Sequence, residues 1–561
     1  MQGPKERSPQ GNAGSQAMPF DQEFQPLPTR QVVLTMVGVM LAMFLGSLDQ
    51  TVVGTAMPRI IADLGGFDRY TWVTTAYLVT STAVTPVVGR LTDMYGRKWF
   101  YIGGIVVFLI GSALSGISSS MTQLILFRGF QGIGAGVMIA NAFITISDLF
   151  PPSERGKYQG FVAGVFGISS VIGPALGGFL TDNLSWHWVF FVNLPIGIPV
   201  VLVFLFFFPH LKPAMRSHRI DYLGVITLVL AVVPLLLALS WAGSQHPWGS
   251  AQVLGPIAFS LLMTAAFVYR EQKAPEPIIP LSLFKNSIIS LSMVVVFLTG
   301  FAMFGGIIFV PLFFQGVLGA TATASGSFIT PMSLGVVFGG IVSGQLLSRT
   351  GGHYRTQGVI GLSIVVVALF MLSRMTPQTR YGEAVLFIVI MGFGIGTTFP
   401  LFTIAVQNAV SRQYLGVVTS TTQFFRSIGG TIGLAIFGSV MTNRFASDLA
   451  STVPQQVQDA LGPAGFSGLA HNPQALVNPA AQQQLASQFG QAAGTDGAGL
   501  LVQLLTALKL SLSHAIAEVF LLSTALMVAA LIATAFIREI KLQQGARAAA
   551  SPPTTKHEVI S

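Results

Sequence analysis

The chain has no cysteine among its 561 residues. That excludes disulfides, thiolate metal sites and a cysteine nucleophile. Charge is nearly as scarce: 9% of residues are Asp, Glu, Lys or Arg, against about 25% in ordinary soluble domains. The eight histidines are scattered, without ligand spacing and without HExxH, so neither a metal nor any other cofactor is expected. No GxxxxGK followed by Ser or Thr occurs, which argues against ATP-driven transport. No carboxylate pair or activated nucleophile lies in the apolar runs, which argues against a membrane-embedded enzyme. No repeated polar stripe suggests a channel filter. The net charge of +9 does not indicate nucleic acid, because the basic residues sit in short loops rather than on one soluble domain.

What the chain has is length in apolar runs. Mean hydropathy is +0.69, and about fourteen runs are long enough to cross a bilayer. Their limits are 31–57, 70–89, 99–117, 122–147, 157–180, 187–208, 221–241, 253–269, 287–316, 328–347, 357–373, 383–408, 414–441 and 512–537. An all-α polytopic membrane protein is expected. An even number of spans puts both termini on one side. With that side taken as cytosolic, 21 Lys and Arg fall in its loops and tails, six fall outside, and Arg128 and Arg426 lie within spans. This bias places both termini in the cytosol of a multi-pass cell-membrane protein. Residues 1–30 are polar and rich in Pro and Gln, and read as a cytosolic tail rather than a signal peptide. Residues 539–561 read as a second tail.

The chain repeats itself. GRLTDMYGRK, Gly89 to Lys98, is a charged turn between two spans, and GQLLSRTGGH, Gly344 to His353, keeps its Gly, Leu and Gly spacing. Gly156, Gly173 and Gly178 match Gly416, Gly433 and Gly438 at one offset. These matches predict two six-helix bundles, 31–210 and 286–538, with two further helices and linkers at 211–285. Two related bundles around a midplane cavity form an alternating-access architecture. An outer loop at about 443–510, rich in Ala, Gln and Gly, reads as a partly disordered or amphipathic connector, or as a lid or partner-docking segment.

Ionisable residues within the spans are costly, and mark function or packing. Asp49 lies about 27 Å along the first span and Arg128 about 9 Å below the outer face, so they share a depth and can pair, with Gln131 one turn from Arg128. Either an ion pair that fixes packing or a proton-exchanging acid fits. Glu518 in the last span reads as a snorkelling interfacial acid or as part of proton handling. Arg426 reads as a helix pin or a cavity-lining residue. VIGPALGG, Val171 to Gly178, combines Gly173, Pro174, Gly177 and Gly178, for a bend and close helix approach. Asp148 shares a membrane face with the first turn, where Arg97 can bridge it to Asp93; solvated interfacial charges are the plainer reading.

Together these residues resemble the major facilitator superfamily. GRLTDMYGRK is similar to its motif between the second and third helices. LILFRGFQGIGAG, Leu124 to Gly136, is similar to its fourth-helix motif, with Arg128 as the buried Arg. GVFGISSVIGPALGG, Gly164 to Gly178, is similar to the fifth-helix antiporter motif. LDQTVVGTAMP, Leu48 to Pro58, resembles the first-helix motif of the fourteen-helix drug:proton antiporters, with Gly54 where that family usually has Asn. The resemblance implies proton-coupled export of amphipathic drugs or other lipophilic small molecules, and the scarcity of acids in the spans separately suits lipophilic, cationic substrates. A dedicated exporter of one endogenous lipid or metabolite is the alternative on the same fold. It further implies a monomer, a proton role for Asp49 and Glu518, and a gate built from Gly89, Asp93, Gly96, Arg97, Lys98 and Asp148.

Overall fold

The computed structural model describes residues 27–65, 69, 71–209, 219–243, 245–320, 322–470, 487 and 497–542. Most of both expected tails therefore lies outside the described residues. The first bundle comprises α1 (Thr29–Leu64), α2 (Thr71–Tyr95), α3 (Arg97–Gly116), α4 (Met121–Leu149), α5 (Pro152–Asn183), and a short α6 (Trp188–Phe191) that runs into α7 (Asn193–Phe207). Two inserted helices follow, α8 (Tyr222–Trp241) and α9 (Ala251–Lys273). The second bundle holds α10 (Ser287–Gly316), α11 (Ala322–Thr350), α12 (Tyr354–Ser373), α13 (Tyr381–Asn408), α14 (Leu415–Thr452) and α16 (Gly497–Ala535), with α15 (Gln455–Ala470) between the last two.

Thirteen helices among the described residues are long and apolar enough to cross a membrane. The one expected span missing from that set is α2, although it is 25 residues long. Its threonines lower its hydropathy, and several of its polar residues, Thr82, Thr85, Thr92 and Asp93, are buried against other helices. The inserted α9 is the opposite case. Leu254, Leu261 and Leu262 are exposed on it, which suits a helix facing lipid rather than a protein core.

The internal repeat is visible in the packing. In the first bundle α1 packs on α5, and α3 and α2 pack on α4. In the second, α10 packs on α14, and α12 and α11 pack on α13. The bundles meet through crossed equivalents, α5 on α11 and α2 on α14. Glycine sets how near they come. A Cβ at Gly89 would overlap Ser420 and the Gly416 carbonyl, and one at Gly156 would overlap the Gly344 carbonyl. Each turn glycine of one repeat thus docks on the helix-start glycine of the other, on the face that carries the Gly89–Lys98 turn.

The region expected as an outer loop is helical where it is described. α14 continues to Thr452 and α15 follows, with Val457 and Leu469 in the same core cluster as Leu504 and Leu508 of α16. An Ala- and Gln-rich segment has the helix propensity for this once a neighbour covers its apolar side. At the other end, residues 540–542 turn back on the start of α12: Ile540 N–H donates to the Tyr354 hydroxyl at 2.6 Å and Leu542 N–H to Gly351 O at 3.0 Å.

Candidate functional site

Asp49 is fully buried, and every contact it makes is to a donor. Its Oδ2 accepts from Arg128 Nη1 at 2.5 Å, and its Oδ1 accepts from Gln131 Nε2 at 2.9 Å and Asn193 Nδ2 at 3.0 Å. Arg128 also donates to Gln131 Oε1 at 2.8 Å and lies over the Tyr77 ring, 4.2 Å from its centroid. Asn193 extends the network to Ser112 Oγ at 2.9 Å, and Ser112 donates to Phe190 O at 2.8 Å. The cluster draws on α1, α2, α3, α4 and the α6–α7 junction. A charge removed from water needs an opposite charge and full hydrogen bonding to persist, and this set supplies both.

The second cluster lies at the turn. Arg97 sits 2.7 Å from Asp93 and 2.7 Å from Asp148, joining α2, α3 and α4. Asp93 also accepts from the backbone N–H groups of Gly416 at 3.2 Å and Val417 at 3.0 Å. Those lie in the first turn of α14, so the carboxylate caps the positive end of a helix in the other bundle. All three side chains are buried, which rules out the reading of solvated interfacial charges. Gly96, which precedes α3, has φ 94°, a conformation that glycine tolerates best. Lys98 donates to Leu205 O of α7 at 2.8 Å.

The remaining residues lie elsewhere. Gly173 and Gly177 bring α5 against α1: a Cβ on either would strike Thr51 or Thr55. Gly178 faces open space and has no such role. α5 runs through Pro174 as one helix. Arg426 is buried in α14, donates to Gln423 Oε1 at 2.9 Å and stacks over Phe399. Glu518 is not enclosed by the bundle. Its side chain is 46% exposed and pairs with Arg444 at 3.1 Å, beside an Asp448–His514 contact of 3.0 Å. The extension of α14 beyond residue 441 carries Arg444 and Asp448 to it.

The family model for the Major Facilitator Superfamily matches residues 39–434. The chain belongs to the Major Facilitator Superfamily. Among its relatives, the multidrug transporter protein MdtP of Bacillus subtilis is 39% identical over 91% of this chain and 93% of its own length. Multidrug resistance protein 3 of the same organism is 42% identical over 75% of this chain and 81% of its own. A solved structure of the human organic anion transporter MFSD10 covers 86% of this chain and all of its own at TM-score 0.54 and 16% identity, a likeness of fold. This superfamily member is a multi-pass membrane transporter and not an enzyme. Asn193, Ser112 and Tyr77 were absent from the sequence reading of its Asp49 cluster; a lone Asn within the apolar run 187–208 was the available signal.

Proposed function

We propose that this chain is a proton-coupled antiporter that exports amphipathic drugs or other lipophilic small molecules by alternating access. Asp49 takes up and releases the proton. The observation that carries this reading is the burial of Asp49 at membrane depth with three donors on its two oxygens. Protonation removes its attraction for Arg128 and frees Arg128 and Gln131 to repack, so proton binding and helix position are linked. Asp93, Arg97 and Asp148 act as a latch on the cytosolic side. They hold α2 against α14 through the Asp93 bonds to Gly416 and Val417, which supports their closing that side. Both termini lie in the cytosol, the protein sits in the cell membrane, and it works as a monomer. The multidrug names of the two bacterial relatives support a broad substrate range over a single endogenous lipid or metabolite.

The test is efflux of a lipophilic dye from proteoliposomes under an imposed pH gradient. Wild type drives efflux and collapses to leak when the gradient is dissipated. Asp49→Asn inserts and folds but shows leak alone. Gradient-driven efflux by Asp49→Asn at the wild-type rate contradicts the proton role.

A further inference from the structure

The buried charges of the two bundles do not balance. Asp49 and Arg128 neutralise each other. Arg426 has no such partner: among the described residues no carboxylate lies within ion-pair distance of it. It is 6% exposed. Nη1 donates to Gln423 Oε1, while Nη2 is buried with no acceptor. Gln423, one turn earlier on α14, is also 6% exposed, and its Nε2 is likewise buried without an acceptor. Two adjacent buried donors, one of them on a permanent cation, are thus left unused. A buried cation with no opposite charge and an unused donor calls for an explanation beyond packing.

The surroundings define what that is. Arg426 is the twelfth residue of α14, about 16 Å from the helix start, which is near mid-membrane. The Phe399 ring of α13 lies 4.1 Å from the guanidinium carbon. Gly300 of α10 closes on the Arg426 carbonyl, and Phe301 and Phe304 of α10 pack on the glycines that follow in α14. The half-buried rings of Phe304 and Phe399 suit a lipophilic body, and the fork of Arg426 with Gln423 Nε2 suits a planar two-oxygen acceptor.

We infer that Arg426 and Gln423 form a subsite for the acidic headgroup of an amphipathic monocarboxylate, so that substrates of this transporter include lipophilic anions. The inference rests on the exporter reading for the word substrate, and it departs from the composition-based expectation of cationic compounds. With Asp49 paired, the uncompensated charge inside the second bundle is positive. A lipophilic cation gains nothing from it and is repelled by it.

The experiment compares dansyl-undecanoic acid with its methyl ester, which keeps the apolar body and loses the charge. Binding to detergent-purified full-length protein is read by dansyl fluorescence at a pH where the acid is ionised. The expected result is about tenfold tighter binding of the acid by wild type, the scale of one charge-assisted contact. Arg426→Gln removes that preference by weakening acid binding about tenfold more than ester binding; Arg426→Lys keeps part of it, and Gln423→Leu weakens acid binding more than ester binding. Equal affinity of wild type for acid and ester overturns the subsite, as does an undiminished preference in Arg426→Gln. Where Arg426→Gln is not monodisperse, Gln423→Leu and the wild-type ratio decide. Sodium undecanoate competes and sodium sulfate does not; equal competition by sulfate overturns the carboxylate assignment in favour of a general anion site. The same two probes in pH-gradient proteoliposomes separate the two claims. Gradient-driven export of the ester without an Arg426-dependent acid preference sinks the subsite and leaves the exporter. An Arg426-dependent acid preference without gradient-driven export of either probe does the reverse.

Discussion

Arg128 holds Asp49 through its guanidinium and is itself held by Gln131 and the Tyr77 ring. Removing one partner of a buried pair leaves the other charge stranded, at a cost of about 3–5 kcal/mol. Arg128→Ala should therefore lower the detergent melting temperature clearly, while Asp49→Asn with Arg128→Gln together should recover most of the loss. A double variant no more stable than Arg128→Ala would show that the pair carries no coupling. The pairing itself was legible in the sequence, because two opposite charges at the same depth are readable from helix rise alone. Asn193 was not, because it reaches Asp49 across 144 residues of chain and hydropathy reports nothing of lateral packing. Glu518 fits the snorkelling interfacial reading of the two the sequence left open: a residue within an apolar run need not face the bundle, and its partner Arg444 comes from α14, which extends beyond the expected span end at 441.

At the level of elements, the turn from Gly89 to Lys98 joins the bundles by two means. Asp93 caps α14, and Gly89 lets α2 reach Gly416 and Ser420. Arg97→Ala leaves Asp93 and Asp148 buried side by side without their shared cation. It should slow turnover more than it weakens substrate binding; unchanged turnover would reduce the turn to a topological marker. Gly89→Val should act through bulk alone, holding α2 off α14 and lowering turnover with the charges intact, as read by dye efflux rates. The second copy of the turn has Ser348 and Gly352 in place of the Asp and Arg, so its contact with Gly156 is steric and no charge latch is expected there. The sequence showed the degenerate repeat, but not that each copy docks on the opposite bundle, since crossed packing leaves no local pattern.

For the whole molecule, the absence of cysteine makes the proposed rocking of the two bundles testable. Lys157 on α5 and Ser348 on α11 line one cleft between the bundles. The pair Lys157→Cys and Ser348→Cys, joined by a short bis-maleimide, should stop efflux, while the unreacted pair transports. Transport after complete cross-linking would contradict alternating access at this face. The central claim is that substrate and proton exchange through one carboxylate, and the most direct measurement is proton release on substrate addition. With a soluble pH dye in weakly buffered detergent solution, wild type should release protons in proportion to bound substrate. Asp49→Asn should bind substrate and release none. Release by Asp49→Asn equal to wild type would contradict the account.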